Sequence, residues 1–341
     1  MVIVKPSVEK RPESRVIVSR GLERIVHSHR RGLQRLCEST KTCEPEPEQV
    51  LRRLVPRLNA SGRLGDPAAV WKLFVGEGDG QQLDEWLAEN EAAHATTKQL
   101  HRQTISEAHE QVNRLHFRDQ YVMVVSRHGW HQGIMGPLAA QLAQQYGRPA
   151  IAIAVNEQRG IGSGRSFAGF NLLEALRGCQ ELLVRFGGHA QACGLTVDQK
   201  HLEPFRALVN QHARQAMGRE GLMVSRAVDL EMTLESVTVR WAEELERLAP
   251  FGIGNPRPTA LIRRLRLDVR SPRMGILSDG IREVAARGSF AELTPGGWYD
   301  MVATPTVQAG VLTLMVSDAK DATEPSPPGR ISSTPCRDAL A

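Results

Sequence analysis

Hydrophobic and polar positions along this 341-residue chain change period several times. Between Gln81 and His128 there is neither Gly nor Pro. Leu83, Trp86, Leu87, Ala92, Ala95, Leu100, Ile105, Ala108, Val112 and Leu115 recur there at a mostly helical spacing. A helix over 81–115 would run roughly 50 Å at about 1.5 Å per residue, a length suited to bridging two bodies. Beyond it, strands are predicted at 121–126, 150–155 and 192–197, and helices at 132–146, 171–185 and 199–217. Such alternation implies an α/β sandwich with some parallel pairing. Gly147-Arg148-Pro149 closes the first of these helices, since Gly takes the left-handed cap and Pro stops propagation. After Gly221 the pattern becomes short strands at 228–234, 260–269, 283–286, 299–303 and 311–316, with one helix near 239–248. Frequent turns between them predict a small β-barrel or sandwich. The Pro/Ser/Thr-rich last twenty or so residues have little to bury and are expected to be disordered.

Composition narrows this picture. Hydrophobic residues at 41% and charged residues at 24% are ordinary for a globular chain, and 5% aromatics leave few rings for stacking bases. No apolar run approaches the roughly 20 residues of a membrane span, so no membrane partner is expected and a cytoplasmic protein is. Cys37, Cys43, Cys179, Cys193 and Cys336 are scattered and never paired as CxxC, which reads as free thiols. Net charge is +5, and residues 1–65 hold fourteen Lys or Arg against seven Glu, with no Asp before Asp66. That basic stretch fits a polyanion partner such as nucleic acid, or a basic terminus with no ligand. Helical patches around 22–36 and 48–55, split by prolines at 45 and 47, look too small and irregular to form a domain.

Three clusters combine glycine with phosphate-binding side chains. In Pro56–Leu64, Arg57, Asn59 and Arg63 surround a turn at Gly62; a plain surface turn is the other reading. In Gly160–Ser166, Ser163, Arg165 and Ser166 accompany three glycines, which reads either as a phosphate cradle or as a plain glycine-rich loop. It is neither a Walker A loop nor a dinucleotide fingerprint. In Phe186–His189, Gly187 is expected to end a helix and Gly188 to leave space beside His189, whose imidazole can donate to a phosphate oxygen. His94, His101, His109 and His116 lack the i, i+4 spacing of a metal clamp and read as solvated. No segment offers the carboxylate and histidine cluster of metal-assisted phosphodiester hydrolysis.

In this order the motifs resemble those of the RecJ-type single-strand-specific exonucleases of the DHH superfamily. The matching stretches are Arg15–Arg24, Pro56–Leu64, Trp130–Gly133, Gly162–Ser166, Phe186–Leu195 and Pro250–Pro256, and the likeness runs from about Arg15 to Asp318. The resemblance implies an α/β chain in five parts. Residues 1–78 would be the remnant of a DHH catalytic domain and 79–118 a long connecting helix. Residues 119–220 would form an α/β DHH-associated nucleic-acid-binding domain with a mixed sheet, 221–318 a small β-barrel of the oligonucleotide-binding (OB) type, and 319–341 a disordered tail.

It further implies 5′-to-3′ degradation of single-stranded DNA in repair and recombination. His189 would face the scissile phosphate if a DHH domain is supplied. Ser163, Gly164, Arg165, Ser166, Gly187 and Gly188 would grip DNA, with Arg57, Asn59 and Arg63 on the opposite wall and His131 in support. The family's Mn2+ or Mg2+ belongs to Asp-rich and Asp-His-His motifs that have no counterpart here. The chain is therefore expected to hold no metal and to be inactive alone, through a truncated gene model, gene decay or a split gene whose partner is a separately encoded DHH half. Two alternatives follow: a non-enzymatic single-strand-binding module or nuclease subunit, and, more weakly, an oligoribonucleotide or dinucleotide phosphoesterase. Cys193 stands where the family usually has Ala, a change expected to be tolerated.

Overall fold

A computed structural model of the chain describes residues 12–42, 46–114, 120–167, 169–218, 228–252, 255–308 and 310–324. Most of the expected tail, Cys43, Cys336, His116 and the middle of the 250–256 turn lie outside these residues. The chain forms two compact units, 19–225 and 226–341, the second including residues 1–18.

The first unit is organised around one helix. Its N-terminal part holds α1 (Pro12–Val26, shared with the other unit), α2 (Arg31–Ser39), short helical runs between 47 and 63, and α3 (Ala68–Val75). α2, α3 and the runs at 55–63 pack on α4 (Gly80–Arg114), with a small core at Leu36, Cys37 and Leu54. The stretch expected to be too small and irregular for a domain of its own is a helical layer with that core, packed on α4. α2 meets α3 at Gly32, where a Cβ would stand 2.0 Å from the Leu73 carbonyl oxygen.

The buried stripe of α4 is Leu83, Asn90, Thr97, Thr104, Ala108 and Val112. Three of the six are polar, and both hydroxyls and the Asn90 amide nitrogen find partners close by. Thr97 and Thr104 bond the carbonyls of Ala93 and Leu100, and the Asn90 amide donates to the Arg57 carbonyl at 3.1 Å. These short polar side chains bring the 55–63 segment close to the helix.

The rest of the unit is a five-stranded mixed sheet in the order β1-β2-β3-β5-β4: β1 (Met123–His128), β2 (Ala150–Asn156), β3 (Arg159–Arg165), β4 (Leu183–His189) and β5 (Ala192–Asp198). Only β1 and β2 run parallel, joined through α5 (Met135–Tyr146), which Gly147 ends in the left-handed conformation. One face, including Ile151, Ile153, Cys193, Leu195 and Val197, is buried beneath α6 (Leu172–Arg177) and α7 (Leu202–Met217). On the other, Met123, Val125, Ala150, Ala152 and Ala154 pack against α5 and the end of α4.

Two expectations fail here. Gly160–Ser166 is not a loop: Arg159–Arg165 is an inner strand, antiparallel to β2 and β5. The helix expected over 171–185 stops at Arg177, and 183–189 is the edge strand β4, so Gly187 ends no helix. The helix is capped by Gly178, where a Cβ would lie 2.5 Å from the His212 ring, so only glycine fits there.

In the second unit, β7 (Ala260–Ser271), β8 (Met274–Ser278), β9 (Glu283–Arg287), β10 (Trp298–Gln308) and β11 (Val311–Asp321) form a closed barrel, because β10 pairs with both β11 and β7. Its core includes Ile262, Leu265, Leu267, Leu277, Phe290, Met301 and Leu314. Short β6 (Leu230–Met232) runs parallel to β7, and α8 (Val239–Glu246) packs on β10 and starts at a Thr238 cap. β8 escapes the sequence pattern because Gly275 occupies an inward position, where Leu267 fills the space. β11 reaches Asp321, past the expected end of the barrel at 318.

Candidate nucleic-acid interface

β3 has two chemically different sides. Gly160, Gly162 and Gly164 face the α6/α7 core, where a Cβ would lie 2.6 Å from Ile153, 2.9 Å from Ile153 and 2.6 Å from Leu172 respectively. Glycine there makes room for core side chains. The alternate positions, Ile161, Ser163 and Arg165, point the other way. Register extends that face across the sheet: Arg165, Ala192 and His189 form one row, and Ser163, Gly194 and Gly187 the next. α5 covers the β2 side of this face, whereas Gly194, Gly187 and His189 are exposed.

Arg165 donates from Nη1 to Ser163 Oγ and the Gly164 carbonyl, each at 2.9 Å. Its other terminal nitrogen lies 3.1 Å from where a Cβ on Gly136 would be, which sets the guanidinium over the first turn of α5. Three residues earlier, a Cβ on Gly133 would meet the Arg63 carbonyl oxygen at 2.1 Å. The Ala60–Arg63 turn and the Gln132–Ile134 turn thus touch backbone to backbone, which brings the Arg63 main chain and the Arg165 guanidinium to the same end of α5. Both arginines are half-buried, and burial lowers their pKa below the ordinary arginine value. Neither forms an ion pair with a carboxylate among the described residues.

The other candidates take distinct positions. Arg57 donates from Nε to Glu91 Oε1 at 2.6 Å and from Nη1 to the Arg53 carbonyl, so its charge is already opposed. Asn59 is exposed between two helical turns. His131 Nδ1 accepts from the Gly133 amide at 3.2 Å, which leaves the neutral ring's proton on Nε2. The Ser166 hydroxyl bonds the Phe170 carbonyl, closing the turn after β3. Gly188 has φ +137° and lies so close to β5 that a Cβ would meet the Ala192 carbonyl oxygen at 2.3 Å. Cys193 packs in the sheet core, its thiol donating to the His189 carbonyl, and burial raises its pKa.

One residue was misjudged as solvated. His101, on α4, has a buried Nε2 without a partner, and its ring bonds the Pro137 backbone in the first turn of α5. Burial first, then Arg63, pulls its pKa down. His94, one heptad earlier, is lowered mainly by burial and next by Arg57, while His109 Nε2 lies 2.9 Å from Gln145 Oε1. A seven-residue repeat of His on a helix whose polar stripe is buried was the available signal.

In the other unit, two quoted motifs meet. Arg15 donates to the carbonyls of Leu248 and Ala249, both at 2.8 Å, and the Asn255 amide bonds the Leu248 and Pro250 carbonyls.

The architecture defines a class: an α/β domain built on a mixed sheet with a glycine-bearing edge strand, and an OB-type barrel. Residues 119–215 match the DHHA1 domain and 228–276 the RecJ OB domain. The chain belongs to the RecJ family. It is 36% identical over 265 residues to the single-stranded-DNA-specific exonuclease RecJ of Bacillus subtilis, covering 76% of this chain and 33% of that protein. It is 30% identical over 252 residues to the protein of the same name from Thermus thermophilus, covering 73% and 35%. The chain therefore spans about a third of the length of these curated relatives. The crystal structure of Thermus thermophilus RecJ in complex with Mg2+ matches with a TM-score of 0.76 at 23% identity, over 91% of this chain and 49% of that one. Its Mn2+ counterpart matches at 0.75, over 91% and 47%.

Those metals have no matching cage among the described residues. Among the described residues no three His, Cys, Asp or Glu side chains are grouped to hold a metal ion, so no chemical step is derived through one. No helix among the described residues is long and apolar enough to cross a membrane.

Proposed function

We propose that this chain is the DNA-gripping part of a RecJ-type 5′-to-3′ single-strand exonuclease, and that its 341 residues do not hydrolyse DNA unaided. The observation that carries the reading is the meeting of the Arg63 turn with Arg165 and Ser163 at the start of α5, beside the exposed row that ends in His189. A phosphodiester presents two non-bridging oxygens that share one negative charge. Two guanidiniums without carboxylate partners, with a hydroxyl and an imidazole, supply charge-assisted donors in number and kind suited to it. The glycines of β5 and β4 leave the sheet surface bare, so a sugar-phosphate backbone can approach it closely. In this reading Arg63 and Arg165 bind successive phosphates and His189 donates to the one nearest the edge. Arg57 contributes by anchoring its segment to α4. Water activation falls to a DHH domain carrying the metals.

Fluorescence anisotropy with single- and double-stranded oligonucleotides tests the binding half. Single strands should bind more tightly, with affinity dropping steeply between about 50 and 200 mM salt. Salt-independent binding, or none, would overturn it. Incubation of labelled 5′-phosphorylated DNA with Mn2+ or Mg2+ tests the other half: no digestion is expected until a RecJ DHH domain is added. Digestion by the purified chain alone that His189→Ala abolishes would refute it.

A further inference from the structure

The open face of the mixed sheet does not end at its glycines. Alternate residues of a strand point to one side, so beyond the rows that end in His189 and Gly187 comes a third, Ile161–Thr196–Arg185. Its chemistry is different. Ile161 is apolar yet 37% exposed, whereas Thr196 is polar yet only 6% exposed. Arg185 accounts for the second of these: its Nε donates to Thr196 Oγ1 at 3.2 Å, which draws the side chain across that residue. Arg185 itself is exposed, and its two terminal nitrogens have no partner among the described residues.

Two strands therefore carry a donor suited to phosphate at one position and a different kind of contact four residues away. On β3 these are Arg165 and Ile161, and on β4 they are His189 and Arg185. Four residues of antiparallel strand span about 13–14 Å. Between the two rows the surface is low. Nothing stands within 4 Å of where a Cβ on Gly187 would be, and a Cβ on Gly194 would meet only the Gly162 carbonyl oxygen, at 4.0 Å.

We propose, resting on the nucleic-acid reading above, that the Ile161–Thr196–Arg185 row is the base side of the interface. Phosphates follow the row of Arg165 and His189, sugars cross the glycines, and Ile161 and Arg185 lie against successive bases. The three rows hold no Phe, Tyr or Trp. A guanidinium plane and an aliphatic side chain are then the groups that can stack on a base whatever its identity. The hydrogen bond to Thr196 holds Arg185 down on the sheet, so less side-chain freedom is lost when a base arrives. In a duplex each base is paired and stacked between its neighbours, and the row therefore favours an unpaired strand.

A base contact can be told from a phosphate contact because only the second releases counterions. Arg185→Lys keeps the positive charge and removes the planar group. Anisotropy with a mixed-sequence single strand should show R185K binding about three- to tenfold more weakly than the native chain, with an unchanged salt slope. On a strand of the same length made wholly of abasic sites, the two proteins should bind equally. An equal loss on both strands, or a loss on neither, overturns the inference and leaves the phosphate grip standing. An equal loss that R185Q deepens, with a slope flatter by about 0.7, would make Arg185 a phosphate ligand instead. Failure of the native chain to bind single strands at low salt would remove the proposed function and this inference together.

Discussion

The sheet of residues 120–218 and the C-terminal barrel both carry many arginines, but they use them differently. In the barrel, Arg263 bonds Glu231 and Asp300, Arg257 pairs with Glu246, Arg270 with Asp268, and Arg282 binds the carbonyls of Leu234, Glu235 and Val237. Around the start of α5, Arg165 bonds only a hydroxyl and a carbonyl, and Arg63 has no partner among the described residues. The sheets differ in closure as well. The barrel joins β10 to β7, whereas the mixed sheet ends at β4 and leaves part of one face bare. Counting basic residues therefore misplaces the affinity; what matters is which guanidiniums remain unopposed beside an open surface.

The sharpest way to break this contrast is the double variant R63Q/R165Q. Each charge-assisted contact is worth about 1.5–3 kcal/mol, so the pair should weaken single-strand binding about a hundredfold or more. The salt dependence should flatten by about 0.7 per lost contact. Anisotropy across a salt series reads both, and a loss below about tenfold would put the grip elsewhere. Gly133→Ala comes next. Its methyl group would collide with the Arg63 backbone, which cannot yield as a side-chain tip can. Expected are a stability loss of about 1–3 kcal/mol in denaturant melts and a binding loss of about tenfold, although no ligand-facing side chain is touched. Unchanged binding in that variant would mean that the two turns need not touch for the site to work.

Much of this arrangement was legible in the sequence, and the failures have physical causes. The span of α4, the strands β1, β2 and β5 and the barrel strands other than β8 follow from periodicity because each buries one apolar face or stripe, and the Gly147 cap follows from glycine's access to the left-handed region. β3 was missed because alternating glycines look like a flexible loop; they are spacers for Ile153 and Leu172, and the polar residues between them face outward. β4 was missed because Leu182, Leu183 and Phe186 prolong a helical spacing beyond Gly178, and an edge strand that is mostly exposed shows weak alternation. Pairing Arg63 with Arg165, far apart in the chain, needed Gly133 and Gly136, whose value is that they are small. His101 was read as solvated because its neighbours in the buried stripe, Thr97 and Thr104, score as polar.

His189→Ala probes the edge of the open face. Its ring is exposed and in register with Arg165 through Ala192, so its donation is screened by water. A net value of about 0.5–1.5 kcal/mol for one hydrogen bond gives an expected weakening of about two- to tenfold in anisotropy. A hundredfold loss would move the centre of the grip from α5 to β4.

The smallest effect belongs to the barrel and gives the contrast its control. Arg263 is half-exposed, opposed by two carboxylates on β6 and β10, and already holds its donors in those pairs. For a phosphate to recruit it, the ion pairs would have to open, and exposed pairs contribute little on their own. Arg263→Gln should therefore leave single-strand affinity within about twofold of the native chain, with an unchanged salt slope, since no counterion-releasing contact is lost. A tenfold loss with a flatter slope would mean that Arg263 leaves Glu231 and Asp300 when DNA arrives. In that case an arginine's partners in the free chain would no longer tell a spent charge from an available one.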